Sequence, residues 1–372
     1  MKRSTVFGHW EGTFIIVNSI LLKYAFFFLN TFPGIAGSAG WMVAVYICIV
    51  FLVAVLIIQK LYQYAGQADL MDIAHATFGN AGKYILGFGL ILCFLFNSGT
   101  NLIYFAESFK NSLLTDSSTK MMIIFLILVA FFLAMKGLDS IARVHAFFVP
   151  ISLIATGIIA FFLMTEGSIQ NIFPIFGTGL PNVFKLGHFA LSGFFEFILI
   201  TLITPYMKTY SEFSKTLKLT YVFVSAATLI LSLVYIIAVP YPANTNILSV
   251  IMMTPDYMTF HHIPQELFTV FSIFYCICTA LYISIHIYVC TLIFSKMFYI
   301  NKTTPLTICF SVVLLGITQI PVDMNMNKDM YEIGLSFLWV VGLIVPIIVL
   351  ACNNIKIKRL QKEDKHEKKE KR

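Results

Sequence analysis

The chain has 372 residues, of which 59% are hydrophobic and 12% charged, and its mean hydropathy is +0.86. That composition excludes a soluble globular domain and points to an all-α polytopic membrane protein. The formal net charge of +7 is no sign of a nucleic-acid partner, because nine of the 25 lysines and arginines lie in the last 17 positions.

Ten apolar runs are long enough to span a bilayer, at about 12–33, 40–62, 83–106, 121–136, 144–165, 186–207, 216–239, 265–297, 304–321 and 333–352. Met1-Lys2-Arg3 leads straight into the first, so no cleaved signal peptide is expected. Span one carries Lys23 mid-run with Pro33 ten residues later. Gln67 to Ala74, followed by Phe78-Gly79, predicts a short connecting helix closed by glycine. Gly137 to Arg143 predicts a tight turn with Asp139 and Arg143 as a local surface pair.

Span six is the one to which the others are referred. It holds Glu196 mid-membrane, with Ser192-Gly193 before it and Pro205 nine residues after it. A charge at that depth costs several kcal/mol, roughly 3 for an unpaired group, and marks a functional site unless it serves only to pair with a neighbouring helix. The loop from Pro240 to Pro264 carries Asp256 and the adjacent His261 and His262, whose spacing does not suit a metal. Span eight is overlong and holds Tyr282 and His286, the latter read chiefly as helix packing. Seven cysteines, almost wholly within spans, read as small hydrophobic residues. Neither a metal nor a cofactor is expected. The absence of nucleotide-binding motifs and catalytic constellations argues against an enzyme. Lys356 to Arg372 reads as a basic tail able to rest on anionic lipid.

Lysine and arginine counts in alternate loops, 11 against 4 without the tail, predict that both termini are cytoplasmic and that the 240–264 loop is external. The Lys23/Pro33 and Glu196/Pro205 echoes fall in spans that enter from opposite sides. They predict an inverted repeat, with repeat one at about 12–165, repeat two at about 186–352 and a tail at 353–372, in a single membrane domain. The expected ligand cavity lies between spans one and six, lined by Lys23, Tyr24 and Phe28 on one side and by Ser192, Gly193 and Glu196 on the other. Span eight would close it through Tyr282 or His286. Lys23 and Glu196 have opposite signs and similar depth, so direct pairing is one expectation. The other turns Glu196 toward a ligand amine or water, with Lys23 on backbone carbonyls.

Several strings are shared in order and spacing with one family: Pro33 with Gly37-Ser38-Ala39-Gly40-Trp41, Ile73-Ala74 to Phe78-Gly79, and Gly137 to Arg143. Asn171-Ile172-Phe173-Pro174-Ile175, Phe195-Glu196 and Gln265-Glu266-Leu267-Phe268 complete the set. The chain thereby resembles the spore germination permease-like proteins, the B-type integral membrane subunits of nutrient germinant receptors. That family is similar to the amino acid–polyamine–organocation transporters. The resemblance implies ten transmembrane helices in a five-plus-five inverted repeat (LeuT-like) with a substrate site between helices one and six. It also implies an A-type subunit and a C-type lipoprotein as partners in the spore inner membrane. This chain has Phe26 and Phe28 where many relatives have glycines, a departure that bears on the helix-one break and on any cation site built from its carbonyls. The expected function is nutrient sensing that triggers germination, with an amino acid as ligand; the alternative is a proton- or cation-coupled amino acid transporter.

Overall fold

The computed structural model describes residues 7–26, 28–113, 116, 118–245 and 265–370. Most of the loop at 240–264, with Asp256, His261 and His262, lies outside them. The described chain is helical apart from turns and one isolated bridge between Phe7 and Met207.

The expected spans appear in order. Span one is α1 (His9–Phe26), a 3₁₀ turn at Phe28–Asn30 and α2 (Thr31–Ala36), so its regular α geometry is interrupted even without the glycines. Then come α3 (Gly40–Tyr62), α4 (Leu70–Leu113), α5 (Thr119–Met135) and α6 (Leu138–Glu166). Span six is composite: α7 (Leu180–Leu186), a 3₁₀ helix at Gly187–Ile198 and α8 (Leu199–Ile203). It is followed by α9 (Tyr210–Ala238), α10 (Gln265–Phe298), α11 (Thr304–Ile317) and α12 (Met324–Trp339). Span ten continues from α12 through a π turn at Val340–Ile344 into α13 (Val345–Glu370).

Among the described residues, seven helical stretches are long and apolar enough to cross a membrane alone. The shorter spans are α1, α5 and α11, with 18, 17 and 14 residues. At 1.5 Å per residue α11 covers only about 21 Å. It stops a turn early because Thr318 to Ile320 close into turns on Leu314, Gly316 and Ile317 ahead of Pro321.

Local features follow the sequence signals. Gly79 breaks α4 at φ 70°, separating the short connecting helix from span three. The turn expected over Gly137 to Arg143 is shorter, because α6 already begins at Leu138; Arg143 and Asp139 pair at 3.1 Å along the start of that helix, where such a surface pair contributes little to stability.

Peripheral helices show their lipid faces directly. On α3, Val45, Ile49, Val53 and Leu56 are exposed at helical spacing, while Val43, Ile47, Phe51 and Ile58 are buried. Span six has no such face from Ala190 to Pro205. It is the innermost helix, and its polar groups have to be satisfied by protein.

The two ends of the bundle are tied separately. At one end Phe7 bonds Tyr206, Gln67 bonds Met207 and Lys208, and His9 pairs with Glu212. Lys296 pairs there with Asp69 and Asp72, and Asn354 and Lys356 bond Leu61 and Ala76. The described chain thus starts and reaches the end of span ten on the same side, as an even number of crossings requires. At the other end the connector from Gly167 to Gly179 drapes over span one: Thr178 bonds the Ala36 carbonyl and Ser38 bonds that of Pro174.

Span ten approaches span six through Gly342, where an added Cβ would lie 2.7 Å from Phe195 Cα and 2.9 Å from its carbonyl oxygen. Neither is a flexible side-chain end. Gly342→Ala is therefore expected to destabilise by about 1–3 kcal/mol and to lower the unfolding temperature of the solubilised protein. Gly316→Ala, with open space around it, serves as the control that should not.

Candidate functional site

The 3₁₀ stretch at Gly187–Ile198 is 12 residues long, whereas such runs seldom exceed about four and mark hinges or strain. Three residues per turn align side chains at i and i+3 into rows. Ala190, Gly193 and Glu196 form the row toward span one. Gly193 leaves the space that the Tyr24 phenol takes, since an added Cβ would lie 2.5 Å from its hydroxyl. Phe194 and Phe197 form a row against Phe51 of α3, at ring distances of 4.4 and 4.7 Å.

The third row faces span ten. Ser192 Oγ accepts from the Trp339 amide at 3.2 Å and donates to the Leu335 carbonyl at 2.7 Å. Trp339 and Leu335 are an i, i−4 pair, so the hydroxyl is inserted where a helical hydrogen bond would run. The π turn begins at the next residue, in keeping with the usual cause of helix deformation. Ser192 is thus committed to span ten rather than turned toward Lys23.

The row toward span one ends in a charge cluster. Lys23 Nζ donates to Glu196 Oε2 at 2.5 Å, and the two side chains are only 1% and 0% exposed. Direct pairing, one of the two sequence expectations, is the arrangement found. The other carboxylate oxygen, Oε1, accepts from Asn97 Nδ2 at 2.7 Å and from the Tyr282 hydroxyl at 3.2 Å. Asn97 Nδ2 also lies 3.1 Å from the Tyr282 oxygen. Asn97 Oδ1 accepts in turn from Asn101 at 3.0 Å. His286 Nε2 stands 3.8 Å from Oε1, while Nδ1 donates to the Tyr282 carbonyl at 2.6 Å.

Spans one, three, six and eight therefore meet at one carboxylate. Burial of a charge pair is tolerated only when the remaining lone pairs are also satisfied, and Asn97 and Tyr282 do this for Glu196. Sequence reasoning missed Asn97. The available signal was the polar group Asn97, Ser98, Thr100 and Asn101 inside an otherwise apolar run, with all four buried.

The other site candidates, Tyr24 and Phe28, are buried and fill the interface with span six. Their rings lie 4.9 Å apart, Tyr24 is 5.8 Å from Phe194, and Phe28 is 6.3 Å from Tyr331. The expected cavity between spans one and six is occupied by these aromatic rings. The Tyr24 hydroxyl is buried there without a hydrogen-bond partner among the described residues. A cavity of about 190 Å³ instead opens elsewhere along α1, among Val17, Asn18, Leu21, Ser152, Thr156 and Leu231. Among the described residues no cluster of metal-ligating side chains occurs.

An all-helical membrane chain whose interrupted first and sixth spans meet at buried charges has the fold of secondary transporters. The structural comparisons agree. A nucleobase-cation-symport-1 family transporter, MHP1, solved closed with bromovinylhydantoin bound, superposes with a TM-score of 0.67 at 13% identity, over 86% of this chain and 74% of that one. MhsT in complex with L-phenylalanine gives 0.63 at 13%, over 92% and 87%. A mutant manganese transporter from Eremococcus coleocola gives 0.63 at 14%, over 91% and 78%. A comparison with curated proteins gave no match. The sequence pattern of a family described as spore germination protein matches residues 9–327, nearly the whole chain, and the chain belongs to that family.

Removing one member of a buried pair typically costs about 3–5 kcal/mol, mostly from the charge left behind. Lys23→Met and Glu196→Gln are each expected to lower folded yield and thermal stability by that order, and the double variant is expected to recover much of the loss. The charge swap, Lys23→Glu with Glu196→Lys, should likewise exceed the worse single. Both are read as double-variant cycles on solubilised protein.

Proposed function

We propose that this chain is the transporter-like membrane subunit of a nutrient germinant receptor and binds an amino acid between spans one and six to trigger germination. The observation that carries the reading is the Lys23–Glu196 pair, buried at the interruptions of both spans in a chain of the spore germination family. The pair is an internal ammonium and carboxylate in contact, the same two groups that an amino acid carries. A zwitterion entering between them would exchange partners: its carboxylate takes Lys23 and its ammonium takes Glu196, with little net change in buried charge. Tyr24 and Phe28, which fill the interface, would have to move, so ligand and packed state compete. A ligand that binds only the opened state shifts the population by its differential affinity, which is what a sensor requires.

In this reading Gly193 lets the ligand backbone approach span six, while Ser192 acts through span ten and Tyr282 holds the carboxylate. The two halves, about 12–165 and 186–352, act as inverted repeats. The chain lies in the spore inner membrane with both termini cytoplasmic, and an A-type subunit and a C-type lipoprotein complete the receptor. The second reading, a proton- or cation-coupled amino acid transporter, is favoured by the fold shared with a nucleobase-cation symporter and with MhsT bound to L-phenylalanine.

Spores lacking the chain are expected to lose germination toward a subset of an amino acid panel, and Glu196→Gln at normal protein level to shift that response to higher nutrient concentration. An unchanged response to every nutrient would overturn the receptor reading, whereas saturable uptake by the chain alone in vesicles would establish the transporter. Cysteines placed in the 240–264 loop should react with impermeant thiol reagents from the outer side only; reaction from the inner side only would reverse the proposed topology.

A further inference from the structure

His286 is buried, at 1% exposure, and its protonation pattern is fixed by geometry. A carbonyl oxygen can only accept, so the 2.6 Å contact with the Tyr282 carbonyl places the proton of the neutral ring on Nδ1. Nε2 is then a bare acceptor, buried and without a hydrogen-bond partner among the described residues. It faces Glu196 Oε1 at 3.8 Å, where lone pair meets carboxylate. Two acceptors at that distance describe a place for one proton.

We infer that His286 Nε2 and Glu196 Oε1 form a proton-binding site that fills when Lys23 leaves the carboxylate. With Lys23 in place the cluster is neutral, and an added proton would leave a net positive charge in the core. When a ligand carboxylate draws Lys23 away, Glu196 loses its cation, and a proton taken from solvent onto Nε2 supplies another. The step breaks one O–H bond of a solvent hydronium ion, leaving water, and forms one N–H bond at Nε2, with no change of oxidation state. The imidazolium donates to Oε1, while Asn97 and Tyr282 keep donating to the same oxygen. A carboxylate ligand without an amine therefore binds together with a proton, whereas an amino acid brings its own ammonium for Glu196. This role in ligand choice rests on the proposed binding between spans one and six; the proton site itself does not.

Lys23 faces the cluster from α1 and Glu196 from the 3₁₀ segment, and α4 contributes Asn97 and the Phe94 ring, 5.4 Å from the imidazole. The phenols of Tyr24, Tyr282 and Tyr331 also stand near Glu196. On α6, His145 is held by the Ile141 carbonyl and Asn18, and Asp139 and Arg143 pair with each other at 3.1 Å. α5 carries Lys120, exposed at its start, and α11 has no acidic, basic or histidine residue.

The test is nitrogen-15 NMR of histidine-labelled protein in lipid nanodiscs, with the His286 signal assigned by its loss in His286→Gln. Between about pH 5 and pH 8, wild-type His286 is expected to stay in the neutral Nδ1–H form. In Lys23→Met its Nε2 is expected to move into the protonated range near neutral pH, and in Lys23→Met/Glu196→Gln to return to the bare form. A His286 that stays neutral in a folded Lys23→Met protein overturns the site. Lys23→Gln is carried in parallel, with folding judged from the other histidine signals. If neither lysine variant folds, expressed yield decides: adding His286→Gln to Lys23→Met should reduce yield several-fold further, and equal yields would overturn the proposal. Because no ligand is used, failure here leaves nutrient binding standing, and failure of nutrient binding leaves the proton site standing.

Discussion

A carboxylate in the middle of a membrane bundle has few tolerable environments, and the architecture around Glu196 supplies one. The ammonium of Lys23 meets one oxygen, and Asn97 and Tyr282 donate to the other. Each donor sits on a different span, so the requirement to satisfy one charge fixes the mutual positions of four helices. Dispersion packing alone would not do this, since lipid-facing and protein-facing apolar surfaces are chemically alike in a bilayer. The polar cluster therefore specifies register where apolar packing is permissive.

The 3₁₀ geometry of span six is what allows this. Its three rows of side chains address three neighbours separately: glycine and carboxylate toward span one, aromatics toward span two, and Ser192 toward span ten. An α-helix, at 3.6 residues per turn, would smear these rows over its surface. The Ser192 insertion also ties the shape of span ten to the position of span six, because the same hydroxyl serves both Trp339 and Leu335. Span six is thereby fixed at once to span one through Glu196 and to span ten through Ser192.

Much of the fold was legible because hydropathy reports directly on bilayer length. The helix closed by Gly79 and the Asp139–Arg143 pair followed from glycine position and charge spacing, whereas Phe26 and Phe28, where many relatives have glycines, argued against the interruption of span one that the structure shows. Lys23 and Glu196 were legible for the same reason that they are costly, as isolated charges in apolar runs. The environment of Glu196 was only partly so. Asn97 is neutral, and a neutral amide within a span has too many ordinary roles to stand out. The role of Ser192 depends on which helix lies opposite, and the 12-residue 3₁₀ run has no local sequence code, being set by packing on all sides. The packing between spans one and six was not legible either: residue type marks Tyr24 and Phe28 as aromatic, but only the fold shows their rings filling the space that Gly193 leaves.

The central claim is that Lys23 and Glu196 are in direct contact in the resting bilayer-embedded protein. It is tested most directly by solid-state NMR dipolar recoupling between the Lys23 side-chain nitrogen and the Glu196 carboxyl carbon, with each signal assigned by single substitution. The account predicts a strong one-bond-removed contact, as a nitrogen–oxygen distance of 2.5 Å requires. A carboxyl carbon showing no coupling to the Lys23 nitrogen, in a sample where both signals are resolved, would contradict it.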